Sequence, residues 1–381
     1  MHREAAIVGI GRTAYSRASG RTPAGMAAEA SRNALADAGL TTADVDGVID
    51  FSTGDSVRAM QLGYALGVDD LAFALDVSGG GNVAAATVAT AFSAVSRGLC
   101  EVVVVYRSLN GRSGNRYGRG DVPPVALEGE LQFAASSGFI VPPMWFAMFA
   151  RRHQEIYGST AEDLGRIAIT QRAHAVPNEH AQQRTSLTMD DYLAGRWIYE
   201  PFRLYDCCME TDGACALVIT TLDRARDLPH PPVRLLAEAE AHTFGGSVAQ
   251  FGDLTTMYSA YAAPRLWSRT DLRPADVDVA CMYDCFTFTV MATFEDFGFC
   301  GKGEVGDFFA SGRATYGGDV VVNPHGGLLS EGYLHGLNHH TEAVLQLRGA
   351  ASGRQVADAE IALVTAGAGP YGGAVLYGVD R

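Results

Sequence analysis

The sequence predicts an α/β protein made of two similar halves, each an alternation of strands and helices. Three observations carry this reading. Short apolar runs of Val, Ile and Ala alternate with longer stretches of helical character. The phrase LTTADVDGVID at 40–50 is echoed by LRPADVDVACMYD at 272–284, and both contain Ala-Asp-Val-Asp. Glycine-rich turns, SGGG at 78–81 and NPHGG at 323–327, stand at matching places ahead of a helix.

In chain order, Ala5–Ile10 reads as a short buried strand. Thr22 caps a helix, with Pro23 in its first turn and Gly39 just past its end. Val45–Asp50 and Phe73–Val77 are the next strands. The SGGG turn opens an Ala-rich helix that ends at Gly98. Glu101–Tyr106 is a run of valines, expected of a strand buried on both faces. In the second half a helix follows NPHGG and ends at Gly349, and EIALVTAGAG at 360–369 is the matching buried strand. Such alternation implies parallel sheets covered on both faces. The expected division is 1–231 and 232–381. The first half includes a stretch at about 108–200 that is too long for a plain connection, and so reads as a functional loop region. Within it, PPMWFAMF at 142–149 is either core or dimer packing or an apolar wall for a large ligand.

The bulk numbers exclude several classes. The 381 residues are 48% hydrophobic and 19% charged, ordinary for a packed soluble protein. A net charge of −14 argues against nucleic acid as a partner. No apolar run approaches the roughly 18 residues of a membrane span. The first residues lack the layout of a signal peptide, and the seven Cys are scattered, so a reducing cytoplasm is expected.

Several local patterns invite a chemical reading. Gly9-Ile10-Gly11-Arg12-Thr13-Ala14 fits a loose dinucleotide fingerprint, but a polar stretch separates it from the helix, so no such cofactor is expected. His335 and His339 stand four apart on an expected helix, a spacing that can bind metal or simply cap and solvate it; no metal is expected. Lys302, the sole lysine, lies in a GKG turn and is expected to be exposed. Arg107, Arg112, Arg116 and Arg119 follow the valine strand. They read as a CoA phosphate or partner contact, or as a solvated loop.

Three phrases resemble the thiolase superfamily, nearest to its sterol-carrier-type members: YDCCMETDGACALVIT (205–220), MYDCFTFT (282–289) and VNPHGGLLSEGYLHG (322–336). The resemblance spans nearly the whole chain and implies duplicated βαβαβαββ halves in a layered αβαβα arrangement. It also implies a homodimer. At the four reactive positions of thiolases this sequence has Gly81 for the nucleophilic Cys and Tyr333 for the activating His. Tyr283 stands before Asp-x-Phe, and Gly367 replaces the acid/base Cys. Two phenols among four changes resemble the steroid side-chain-cleaving aldolases. That resemblance implies retro-aldol cleavage of a β-hydroxyacyl-CoA, a 17-hydroxy steroid with a propanoyl-CoA side chain. The products are a 17-keto steroid and propionyl-CoA.

It also implies Tyr283 and Tyr333 as the reactive pair, no cofactor beyond the CoA of the substrate, and a small OB-fold partner tied to the preceding hydratase. Gly81, His325, His335 and Gly367 are expected near the substrate or oxyanion site. Asp284 is expected to be framework. Two other readings stay open: a non-catalytic acyl-CoA or lipid-binding scaffold for a partner, and residual thiolase chemistry through Cys281 or Cys285.

Overall fold

The structure, a computed structural model, describes residues 3–114, 116, 131–248 and 251–379. The first half runs β1 (Ala5–Arg12), α1 (Pro23–Asp37), β2 (Gly47–Ser52), α2 (Ala59–Leu66), β3 (Phe73–Ser78), α3 (Ala84–Ser96) and β4 (Val102–Asn110). Next come α4 (Leu131–Ser136), α5 (Pro142–Tyr157), α6 (Ala161–Ala175), α7 (Met189–Ala194), the strands β5 (Trp197–Tyr199) and β6 (Phe202–Arg203), β7 (Asp212–Thr221) and α8 (Leu222–Ala225). The second half runs β8 (Val233–His242), α9 (Ser259–Trp267), β9 (Val279–Cys281), α10 (Thr287–Asp296), α11 (Val305–Ala310), β10 (Val321–Val322), α12 (Gly327–Ser330), α13 (Leu337–Leu347), β11 (Ile361–Ala368) and β12 (Tyr371–Val379).

The local causes are those read from the sequence. Thr22 Oγ1 accepts the Gly25 N–H at 3.1 Å and Pro23 opens α1. Gly39, just past α1, has φ +67°, which a glycine adopts without strain. Gly9 and Gly11 serve packing: a Cβ on either would overlap backbone of α1, at Ala34 and Ala30. The glycines of that would-be fingerprint let β1 lie directly on α1.

The large sheet runs β10-β9-β11-β12-β8-β1-β7-β4-β2-β3, so its order reads alike outward from the central β8–β1 pair. It is mixed rather than parallel, contrary to the sequence expectation. The outer strands β2, β3 and β4 are parallel, as are β9, β10 and β11; β7, β1, β8 and β12 pair antiparallel. The cause is connectivity. A tight turn joins β11 directly to β12, and β7 returns beside β4 after the long insertion.

Helices α3 and α13 form the middle layer, because each contacts strands of both halves. Their core takes Val103 and Val105 of β4 on one side and Val364 and Val375 of β11 and β12 on the other. The alternate valines Val102 and Val104 face α1 and α2. Burying each such valine stabilises by roughly 1.5–3 kcal/mol. The outer face of the second half packs on α5, α6, α9 and α10. The layers are therefore helix, strand, helix, strand, helix. The stretch expected to be loop carries four helices among its described residues. In α5, Phe146 and Phe149 are buried against Phe286, Phe251 and Phe288, which favours the packing reading of PPMWFAMF. No helix among the described residues is long and apolar enough to cross a membrane.

Candidate active site

The most specific sequence phrases build a rigid frame at the end of β9. Asn323 Oδ1 accepts the Met282 N–H at 2.7 Å, and its Nδ2 donates to the Met282 carbonyl at 3.0 Å, so one side chain imitates a strand neighbour. Asp284 is fully buried and accepts the N–H groups of Leu328 (2.8 Å) and Leu329 (3.2 Å) at the start of α12. Gly327 has φ +63°, and a Cβ there would overlap Asp284. This turn needs glycine on both counts. The Tyr283 N–H donates to Thr365 Oγ1 of β11 at 2.9 Å.

Two phenols meet on this frame. Tyr283 Oη and Tyr333 Oη lie 3.0 Å apart, although 50 residues separate them in sequence. Tyr283 is 4% exposed, whereas Tyr333 is half-buried, its N–H donating to Thr211 Oγ1 at 2.9 Å. Burial pushes the Tyr283 hydroxyl well above its ordinary pKa, and the neighbouring Tyr333 adds to that shift. Tyr283 is thus a phenol at neutral pH, able to donate a proton. The two glycines expected here are adjacent. A Cβ on Gly81 would overlap the Tyr283 hydroxyl and ring, and one on Gly367 would lie 3.1 Å from Asn82 Cα. The Tyr283 phenol therefore fills the volume that a side chain at position 81 would need.

The histidines divide into two groups. His335 and His339 do not share a helix face: His335 (φ +53°) and Gly336 (φ +83°) precede α13, which begins at Leu337. His335 is buried beside Tyr333, with ring centroids 4.9 Å apart and planes at 81°. Its Nδ1 lies 3.0 Å from Arg107 Nε. Burial lowers its pKa to about 3, aided by the Arg107 charge and opposed by Asp55.

His339 instead pairs with His325, Nδ1 to Nε2 at 3.0 Å, and its ring centroid lies 6.4 Å from that of Tyr283. His339 Nε2 comes within 3.1 Å of Asp284 Oδ1, too obliquely for a hydrogen bond. His325 is fully buried in that pair, and burial holds its pKa well below the usual value. Cys281, His325 and His339 bring three potential metal ligands within 4.8 Å of one another, a set the sequence spacing did not suggest.

The arginines also divide. Arg107 is not a loop residue: it lies in β4, fully buried, with Nη2 on both Asp55 oxygens at 2.6 Å. The strand runs past the valines because Arg107 has this partner inside. Arg112 is half-buried and its backbone N–H donates to Asp212, while Arg116 Nε donates to Glu210 at 2.6 Å. Arg119 lies outside the described residues. Lys302 is not exposed on its turn. It is half-buried, with Nζ 2.7 Å from Asp296 and 3.4 Å from Glu295, and donates to the Thr255 carbonyl. Although burial opposes it, the carboxylates raise its pKa. Cys281 and Cys285 are buried thiols; burial raises Cys285 to about 12 and also pushes Cys281 well above the usual thiol value. Reading the sequence alone missed Asp55, Thr211 and Thr365, whose partners are distant in the chain.

Residues 239–376 match the family described as Thiolase C-terminal domain-like. A steroid side-chain-cleaving aldolase of Thermomonospora curvata is 40% identical, covering 99% of this chain and 98% of that one. A 17-hydroxy-3-oxo-4-pregnene-20-carboxyl-CoA lyase of Mycobacterium tuberculosis is 42% identical over 98% of this chain and 99% of its own. Among solved structures, the Ltp2-ChsH2(DUF35) aldolase superposes with a TM-score of 0.91 at 39% identity, covering 100% of this chain and 99% of that one. With a thiolase fold and full-length relatives of this kind, the chain belongs to the steroid side-chain-cleaving aldolase family of the thiolase superfamily.

Proposed function

We propose that the protein is a carbon–carbon lyase that performs a retro-aldol cleavage on a β-hydroxyacyl-CoA, with a 17-hydroxy steroid carrying a propanoyl-CoA side chain as substrate. The observation that carries this is the 3.0 Å phenol pair standing where side-chain space for a nucleophile has been given up. In the reaction, Tyr333 as its phenolate takes the proton of the β-hydroxyl, and that proton passes on to Tyr283 across the 3.0 Å contact once Tyr283 has given up its own. The bond between the hydroxyl-bearing carbon and the carbon α to the thioester breaks, leaving a ketone and a thioester enolate. Tyr283 then protonates the α-carbon, releasing propionyl-CoA and a 17-keto steroid. Burial keeps the proton on the Tyr283 hydroxyl, so of the two phenols Tyr283 is the one that has a proton to give. Tyr333 reaches the half-buried side of the pair, where a substrate hydroxyl would approach.

A Schiff base and a metal are left out of this proposal. The ion pairs that hold Lys302 protonated support the first omission, since an imine needs a free amine. A thioester is also a poor partner for an imine. A homodimer and a small OB-fold partner complete the proposal, supported by the fold and by the DUF35 component named for the related aldolase.

The test is an assay for propionyl-CoA from the steroid thioester with wild type, Tyr283→Phe and Tyr333→Phe, with the DUF35 partner present. Each substitution is expected to lower kcat by roughly 10²–10⁴-fold. Near-normal turnover by both variants would refute the tyrosine mechanism. No release by wild type would leave the scaffold reading.

A further inference from the structure

His335 is held in an unusual way. Arginine can only donate hydrogen bonds, so the Arg107 Nε contact at 3.0 Å requires His335 Nδ1 to be an acceptor. An imidazole whose Nδ1 accepts is neutral and carries its proton on Nε2. The arginine cannot turn away, because its Nη2 is clamped on both oxygens of Asp55 and its Nη1 donates to the Ser108 carbonyl at 2.9 Å. The arrangement is costly: a guanidinium with no exposed surface, and a non-glycine residue at φ +53°. It also spans the molecule, joining β4 of the first half to the turn before α13 in the second.

What it positions is the active site. The His335 ring stands edge-on to Tyr333. Its Cε1 and Nδ1 lie 3.5 and 3.7 Å from the place of a Cβ on Gly80, in the turn that carries Gly81. The imidazole thus stands beside both Tyr333 and the glycine turn.

Building on the retro-aldol reading, we propose that His335 is a catalytic hydrogen-bond donor, its Nε2–H stabilising the developing thioester enolate oxygen. Arg107 and Asp55 are positioning residues that fix its tautomer. The charged and titratable groups facing the ring are Arg107 from β4, Asp55 from the segment after β2, and Tyr333 from its own turn. The turn at Gly79–Asn82 adds none. His335 takes no part in moving protons, which remains with the two phenols.

The test has two arms. In the first, the protein labelled with ¹⁵N-histidine is followed by NMR from pH 8 to 5, and the His335 signals are assigned by their loss in His335→Gln. The expected pattern is a protonated Nε2 and an unprotonated Nδ1 that do not titrate. A proton on Nδ1, or titration near pH 6.5, overturns the proposal. This arm uses the unaltered protein and needs no turnover, so failure of the steroid-cleavage reading would leave it standing. In the second arm, His335→Ala is expected to lose roughly 10²–10³-fold in kcat with an unchanged pH profile. His335→Gln, whose amide N–H can take the place of Nε2–H, keeps most of that activity. Equal losses in the two, with the far-UV spectrum and Tm of each kept, overturn the donor role.

Discussion

Gly81→Ala is the smallest change that tests how this site came to hold two phenols. Its added methyl would overlap Tyr283 at Oη and at the ring atoms Cε2 and Cζ. The ring has little room to yield: Tyr283 is 4% exposed, its N–H is tied to Thr365 and its hydroxyl to Tyr333. Forcing one methyl into such a space costs about 1–3 kcal/mol. For a chain of this size that is a fall in Tm of a few degrees. Displacing the phenol by roughly 1 Å would break the 3.0 Å contact and lower kcat by up to about 10²-fold.

Because ring carbons overlap as well as the hydroxyl, adding Tyr283→Phe should bring no relief, whereas adding Tyr283→Ala should. In a double-mutant cycle followed by chemical denaturation, Gly81→Ala with Tyr283→Ala is expected to cost about 1–3 kcal/mol less than the sum of the single changes. Additivity within about 0.5 kcal/mol would refute the claim that the phenol occupies the vacated volume. By the same geometry, Gly81→Cys restores no thiolase activity while Tyr283 is present.

Three further outcomes are expected. Iodoacetamide should leave activity intact in the folded protein, because Cys281 and Cys285 are buried and their thiols are shifted upward by burial; inactivation that tracks labelling of either would revive the thiolase reading. Chelation should not change turnover, and elemental analysis should find no stoichiometric metal; an ion lost together with activity, and held less tightly in His325→Ala, would place a metal at Cys281, His325 and His339.

Stability should fall as pH drops from 6.5 toward 4. Burial depresses His325, and takes His335 and His340 to about 3, so the unfolded chain binds protons in this window that the folded chain does not. Asp50 at about 7, Asp206 at about 6 and Glu240, all raised by burial, act in the opposite sense, but they are three groups against five, because burial also depresses His174 and His180. A flat or rising Tm between pH 6.5 and 4 would contradict this balance.

Much of the fold and part of the site were legible in the sequence, where the signal is local or carried by a motif. The valine run announced a strand with two covered faces, Thr22, Pro23 and Gly39 bounded a helix, and the repeated Ala-Asp-Val-Asp revealed the duplication. Resemblance along the chain pointed to Tyr283, Tyr333, Gly81 and Gly367, of which Tyr283 lies against both Tyr333 and Gly81. Residues whose role depends on a distant partner could not be placed this way. Arg107 looked like a member of an exposed cluster, and became a buried support only through Asp55 and a histidine 228 residues away. Lys302 looked exposed on its glycine turn until Glu295 and Asp296 closed on it.

By itself, the sequence determined the alternation of elements and their duplication, because periodicity, capping and motif identity belong to neighbouring residues. Only the tertiary structure decided that the phenols touch, that Tyr283 stands in the space above Gly81, and that one histidine faces Arg107 while the other turns to His325. The physical reason is that hydrogen bonds and exclusion act across a few ångströms of space. The sheet and its central helices bring those atoms together from positions far apart in the chain.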